Sequence, residues 1–255
     1  GDYESTIGAG GSTSLTASKR YIIAPGTTMT DDVTLSNNDT HLTIGAGTDF
    51  DGNVLTISGA GCSVVCENGV TLDGVVMSGA SCSFDGGGWD TLTNGAAARH
   101  GINVTGASCI VKNVSVQTTA GAGNALKSFF SSAAANYLLI ENVRVVDSDK
   151  AGLDCRGDSV QIRNCVVLDA DEEATYFSGD KCSVMGTWTG STGNGIVLDG
   201  NDSVCVGNTV TSAGSGSSIT INNDNHCVIG NRLVGSPNEN STNSTVTSNE
   251  IAAFA

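Results

Sequence analysis

INVTGASCIVKN, residues 102–113, carries the reading that decides the fold. Its first four residues alternate apolar and polar, Gly106 and two small residues follow, and Cys109 and Val111 resume the alternation up to Asn113. A period of two marks a strand, whose successive side chains point to opposite faces. The segment reads as two short strands joined by a tight glycine turn.

The same frame recurs along most of the chain. Its first half returns as LTISGAGC (55–62), VVMSGASC (75–82), LDCRGDSV (153–160) and TYFSGDKC (175–182). With one extra turn residue it continues as IVLDGNDSV (196–204) and ITINNDNHC (219–227). The second half ends on Asn142, Asn164, Asn208 and Asn231, in LLIEN, VQIRN, VCVGN and CVIGN. From Asn142 to Asn164, on to Gly186 and on to Asn208, each step is 22 residues. No segment holds a sustained helical stripe. Short strands joined by such brief turns cannot stack as hairpins with like residues aligned. Wound as a coil, each turn lies parallel on the one below, about 4.8 Å away. The spacing predicts an all-β, single-domain parallel β-helix of about nine turns, on the order of 45 Å long.

On these residues the chain resembles the right-handed parallel β-helix proteins, the superfamily of pectate lyases, polygalacturonases and phage tailspikes, over roughly residues 40–250. The likeness lies in the coil frame and not in a catalytic signature. It implies a right-handed coil, threefold association, and a stacked asparagine ladder at Asn113, Asn142, Asn164, Asn208 and Asn231. Asparagine tolerates the left-handed backbone, and Gly86 and Gly186 supply the same freedom.

The organisation expected is a flexible Gly/Ser/Thr-rich arm over 1–20, an irregular first coil over 21–54, and the β-helix proper over 55–255 with a degenerate last turn. After the asparagine the register blurs: VRV at 143–145 points its valines one way, whereas TVT at 209–211 and RLV at 232–234 suggest a shift of one residue. The third corner carries the variable segments TTAGAGN (118–124), DSDKAG (147–152) and DADEEA (169–174). The apolar tail from Ile251 to Ala255 is expected to be covered by another chain.

Charge narrows the partners. With 26 acidic and 11 basic residues the net charge is −15. Nucleic-acid affinity comes from Lys and Arg displacing counterions, so DNA and RNA are excluded, and anionic membranes are disfavoured. No apolar run approaches the roughly 18 residues of a membrane span, and no basic-then-apolar leader opens the chain.

Nine cysteines invite a disulfide or zinc reading, but their placement argues against both. Cys62, Cys82, Cys109, Cys182 and Cys227 share one inward position of the frame and Cys155 another, so they read as small buried hydrophobes of a chain folded in a reducing compartment. Stacked neighbours such as Cys62 and Cys82 come within disulfide reach. Cys205 is expected to face outward.

Asp158, Asp180, Asp202 and Asp224 recur every 22 residues. Aligned carboxylates repel, so something must offset them: either each accepts a turn N–H, or the row holds hard cations such as Ca²⁺. No other cofactor is implied.

Outward positions of the first strand are where β-helix enzymes keep their catalytic groups. Asn103, Asp154, Arg156 and Tyr176 fall there, with Lys127 beside them and the acids Asp147, Asp149, Asp169, Asp171, Glu172 and Glu173 at the adjoining corner. Asp154 with Arg156 and Lys127 could supply a base and charge neutralisation for a uronate, while Asn103 and Tyr176 would touch a glycan. The paired-Asp, Gly-His-Gly and Arg-Ile-Lys motifs of polygalacturonases and the motif set of pectate lyases are missing. His41, His100 and His226 read as turn or surface residues, and Trp89 and Trp188 sit at corners. Two functions are carried forward. One is a structural bacteriophage virion protein, a homotrimeric capsid decoration, spike or tail-associated knob assembled in the host cytoplasm beside capsid or tail proteins. The other is a carbohydrate-active protein acting on or binding a host surface glycan.

Overall fold

The computed structural model describes residues 4–8, 13–15, 19–95, 99–118, 127–212, 216–234, 237–239, 243–247 and 249–252. Among these the chain holds no helix and winds as a parallel β-solenoid of about nine turns. The first face is an 11-stranded sheet that includes Leu55–Ile57, Val75–Met77, Ile102–Val104, Phe129–Ser131, Leu153–Cys155 and Thr175–Phe177. The second and third faces form one 19-stranded sheet, because Ile110–Thr118 and Leu139–Asp147 run round the corner between them as continuous strands. Glu4–Ile7 already pairs in parallel with Arg20–Ile23. Half of 1–20, the segment 119–124 and the tail 253–255 lie outside the described residues.

Alternation fills the interior as the frame requires. Leu55, Val75, Ile102, Phe129 and Leu153 stand in register and are wholly buried. Each such side chain contributes about 1.5–3 kcal/mol by leaving water.

The corner after the first face explains the motif's glycine. A Cβ on Gly79 would lie 2.2 Å from the carbonyl oxygen of Gly59, one on Gly106 2.0 Å from that of Gly79, and one on Gly200 1.9 Å from that of Gly179. No side chain fits such a column. The buried cysteines complete it. The thiols of Cys62, Cys82, Cys109 and Cys182 donate to the carbonyls of Asn37, Gly59, Gly79 and Gly157 in the turn below, at 3.0, 3.0, 3.3 and 3.5 Å. A thiol is small enough to stack and can still donate a proton to these oxygens.

Register corrects the sequence reading at this corner. The turn in 196–204 has no extra residue, so Ser203 stands over Cys182, and His226, not Cys227, stands over Ser203. Downstream the two faces of the strand exchange: Cys205 is buried and Cys227 is turned outward and half-exposed. His226 is likewise a core residue and not a surface one.

The asparagine ladder divides in two. Asn113, Asn142 and Asn164 hold φ of +55°, +53° and +52°, and Gly186, Gly207 and Gly230 continue that left-handed column. Asn142 Nδ2 donates to Asn113 Oδ1 at 2.8 Å, and Asn113 Nδ2 to Asp85 Oδ1 at 2.9 Å. At Gly86 the left-handed turn falls instead on Gly87, at φ +75°. Asn208 and Asn231 do not belong to this column. They lie one residue later, buried, in an inward column with Val143, Cys165 and Thr187. The apparent shift in the third face disappears with this assignment. Val145, Val167, Thr189, Val210 and Leu233 form the next inward column without a break.

Candidate functional site

Asn103, Phe130, Asp154 and Tyr176 stand side by side on the outer surface of the first face, one per turn. Lys127 leads into the strand of Phe130, and Arg156 follows the strand of Asp154. Although its strand position points outward, Asp154 is only 2% exposed. Arg156 grips it with Nε on Oδ1 and Nη2 on Oδ2, both at 3.1 Å, and Lys127 Nζ is paired with Oδ2. Phe130 is the floor of this cluster. Lys127 Nζ lies 5.1 Å and the Arg156 guanidinium 5.2 Å from its ring centre, and His100 stacks on it at 4.9 Å. Cations over an aromatic face are favoured by the ring quadrupole.

Burial and the neighbouring charges set the protonation states. Burial lowers the Lys127 pKa, and the Arg156 charge lowers it further. Burial lowers His100 too, aided by the charges of Lys127 and Arg156. Its Nδ1 accepts the backbone N–H of Lys127 at 3.1 Å. Tyr176 donates its hydroxyl to Asp199 Oδ2 at 2.9 Å, and burial followed by that carboxylate raises its pKa. Burial and the adjacent Glu172 raise Glu173. These groups line a groove of about 290 Å³ formed by Lys127, Asp154, Arg156, Glu172, Glu173 and Tyr176. Asn103 sits apart, in a neighbouring hollow of about 480 Å³ with Asp32, Arg99 and His100, where its buried Oδ1 has no partner.

The structure thus brings Lys127, Asp154, Arg156 and Tyr176 together and sets Asn103 next door. Phe130 and His100 were missed, because their role follows from stacking across turns and no local motif marks it. Chemically, Asp154 is an anion held between two cations. Protonation would forfeit its attraction to both cations, so Asp154 is poorly placed as a base, and the open groups of the groove are Glu173, Tyr176 and the outer edge of Arg156.

The aspartate row is also rearranged. Asp158 Oδ1 accepts the N–H of Asp180 at 2.9 Å, Asp180 Oδ1 that of Asn201 at 2.7 Å, and Asn201 Oδ1 that of Asp224 at 3.4 Å. Asp202 is not part of it: at φ +56° it takes the left-handed place above Lys181. A neutral Asn201 therefore interrupts the carboxylates, and Asp158 and Asp180 are each offset by a backbone N–H of the next turn. Among the described residues no three His, Cys, Asp or Glu side chains gather into a group able to hold a metal ion. The chain matches no protein-family model, no curated protein and no solved structure.

Proposed function

We propose that the protein is a structural component of a bacteriophage particle, a rigid β-helix of the right-handed class displayed as a homotrimer on the virion surface. The observation that carries this reading is the state of Asp154. Among the described residues the one buried acid on the face where β-helix enzymes work is consumed in tying Lys127 to Arg156 across adjacent turns, which stiffens the rod and withdraws that carboxylate from acid–base work.

A second feature supports association of copies. On the outer side of the second face, Ser183, Val204, Cys227 and Thr245 form one column and Met185, Val206, Ile229 and Thr247 the next. None of the eight is charged, on a chain of net charge −15. Acidic copies can approach each other where no charge is desolvated. Recovery of the polypeptide in high, stoichiometric copy from purified virus particles tests the function. Light scattering tests the trimer, and Val206→Glu should give monomers.

The groove at Lys127 and Glu173 favours a second reading, a carbohydrate-active protein. Incubation with capsular polysaccharides and uronates, followed by assay of unsaturated products and reducing ends, decides it. Product formation abolished by Arg156→Ala would replace the structural reading.

A further inference from the structure

The outer surface of the third face carries a regular series. Arg144, Val166, Trp188, Thr209 and Arg232 stand in register on five successive strands. At strand spacing, each arginine lies about 10 Å from Trp188, on opposite sides along the solenoid axis. Trp188 is 39% exposed, and Leu168 beside it is also exposed. A Cβ on Gly190 would come within 3.3 Å of Trp188 Cη2, so the indole leans over the space that this glycine leaves open. The other tryptophan extends the series. Trp89 Nε1 donates to the Asn142 carbonyl at 2.9 Å, and the Arg144 guanidinium lies 6.0 Å from the Trp89 ring centre. Among the described residues neither Arg144 nor Arg232 forms an ion pair, whereas Lys112, Lys127, Lys150 and Arg156 all do. Among the described residues Arg20, Arg99 and Arg163 also lack an ion pair, and Glu250 follows Arg232 in the same column without pairing with it; what sets Arg144 and Arg232 apart is their even placing about an exposed indole.

We propose that this face binds an acidic polysaccharide carrying one carboxylate per disaccharide, laid along the solenoid axis. The apolar face of a pyranose stacks on Trp188, and the carboxylates of the flanking repeats reach Arg144 and Arg232. An indole offers a flat apolar surface that also attracts polarised C–H groups. Arginine meets a carboxylate with a two-pronged, charge-assisted hydrogen bond. Two strand spacings match two sugar lengths, so carboxylates on alternate sugars meet the arginines, whereas the further carboxylates of a glycan charged on every residue would face Val166 and Thr209, where the column offers no cation. The proposal involves no cleavage and does not depend on the virion reading or on the first-face groove.

Calorimetry and tryptophan fluorescence with a hyaluronan octasaccharide test it, with oligogalacturonate and a neutral chitin oligosaccharide as controls. The octasaccharide should bind more tightly than either control, and binding should weaken with added salt. Trp188→Ala and Arg232→Ala should each weaken it by roughly tenfold or more, the scale of a lost ring stack or charge-assisted pair. The melting temperature should stay unchanged, because both side chains are exposed. The inference is overturned if the octasaccharide binds no better than the neutral control, or if neither substitution weakens binding. Loss of binding on Arg156→Ala with Trp188→Ala silent would also overturn it, placing the glycan in the first-face groove.

Discussion

Asn231 stands directly over Asn208 inside the coil, its Oδ1 accepting both the backbone N–H and the Nδ2 of Asn208 at 2.9 Å. Asn208 repeats the contact below, its Oδ1 taking the Thr187 N–H at 2.9 Å, and Asn249 repeats it above, taking the Asn231 N–H at 2.9 Å. A polar column runs through the interior where the earlier turns place Val143 and Cys165. Such a network is stabilising only while every member is satisfied.

Asn208→Leu should therefore destabilise the protein despite adding apolar surface. It orphans the Thr187 N–H and removes one donor from Asn231, and each buried group left unpaired costs about 1–3 kcal/mol. Chemical denaturation should show the loss, and Asn208→Thr, which copies Thr187, should recover part of it. An unchanged midpoint for Asn208→Leu would mean that the column contributes nothing.

The exchange of Cys205 and Cys227 predicts thiol reactivity. Burial pushes the Cys205 thiol up to about 12, so at neutral pH it is both inaccessible and protonated. A bulky maleimide applied to the native protein should modify Cys227 first and leave Cys205 untouched. Peptide mapping identifies the site, and early labelling of Cys205 would contradict the register.

Asp154→Ala should strand Lys127 and Arg156 on Phe130 with no anion between them. Breaking a buried ion pair costs about 3 kcal/mol at the low end of the usual range, and the low end applies because Arg156 is half-exposed. Calorimetry should record a clear fall in melting temperature. Arg156→Ala should cost less, since Lys127 still neutralises Asp154.

His226 gives the fold a pH dependence. It is 2% exposed, and neither ring nitrogen has a hydrogen-bond partner. Burial lowers its pKa, against the opposing pull of nearby backbone carbonyls and of Asp202 and Asp224. The unfolded chain takes up a proton that the folded chain resists, so stability is complete above the ordinary histidine value of about 6.5 and declines as pH falls below it. His226→Leu, which copies Leu138 in the same column, should flatten this part of the profile. Melting curves between neutral pH and pH 5 that run parallel for the two proteins would rule the effect out.

The coil itself was legible in the sequence. Alternation within LTIS, INVT and TYFS fixes strands, and the recurrence of Gly, Cys and Asn about every 22 residues can be satisfied together only by stacking turns. The outward series Asn103, Asp154 and Tyr176 followed directly, since all three occupy the second place of the frame. Corners were less legible. A strand repeats every two residues, so misplacing one residue in a turn reverses inside and outside for everything after it. One supposed extra residue at 200–203 thus turned Cys205 outward and Cys227 inward and put Asp202 in the carboxylate row.

What the sequence determined alone is periodic: the strand, the repeat and the face on which each first-strand residue lies, because a local alternation and a constant stride are properties of the chain itself. The tertiary structure decided whatever depends on two turns meeting. The pairing of Lys127 with Asp154, the Gly79 carbonyl that forbids a side chain on Gly106, and the rank of Arg144, Trp188 and Arg232 along one face arise between residues about 20 to 45 apart. Their contact is set by how corners close in space, which no local pattern records.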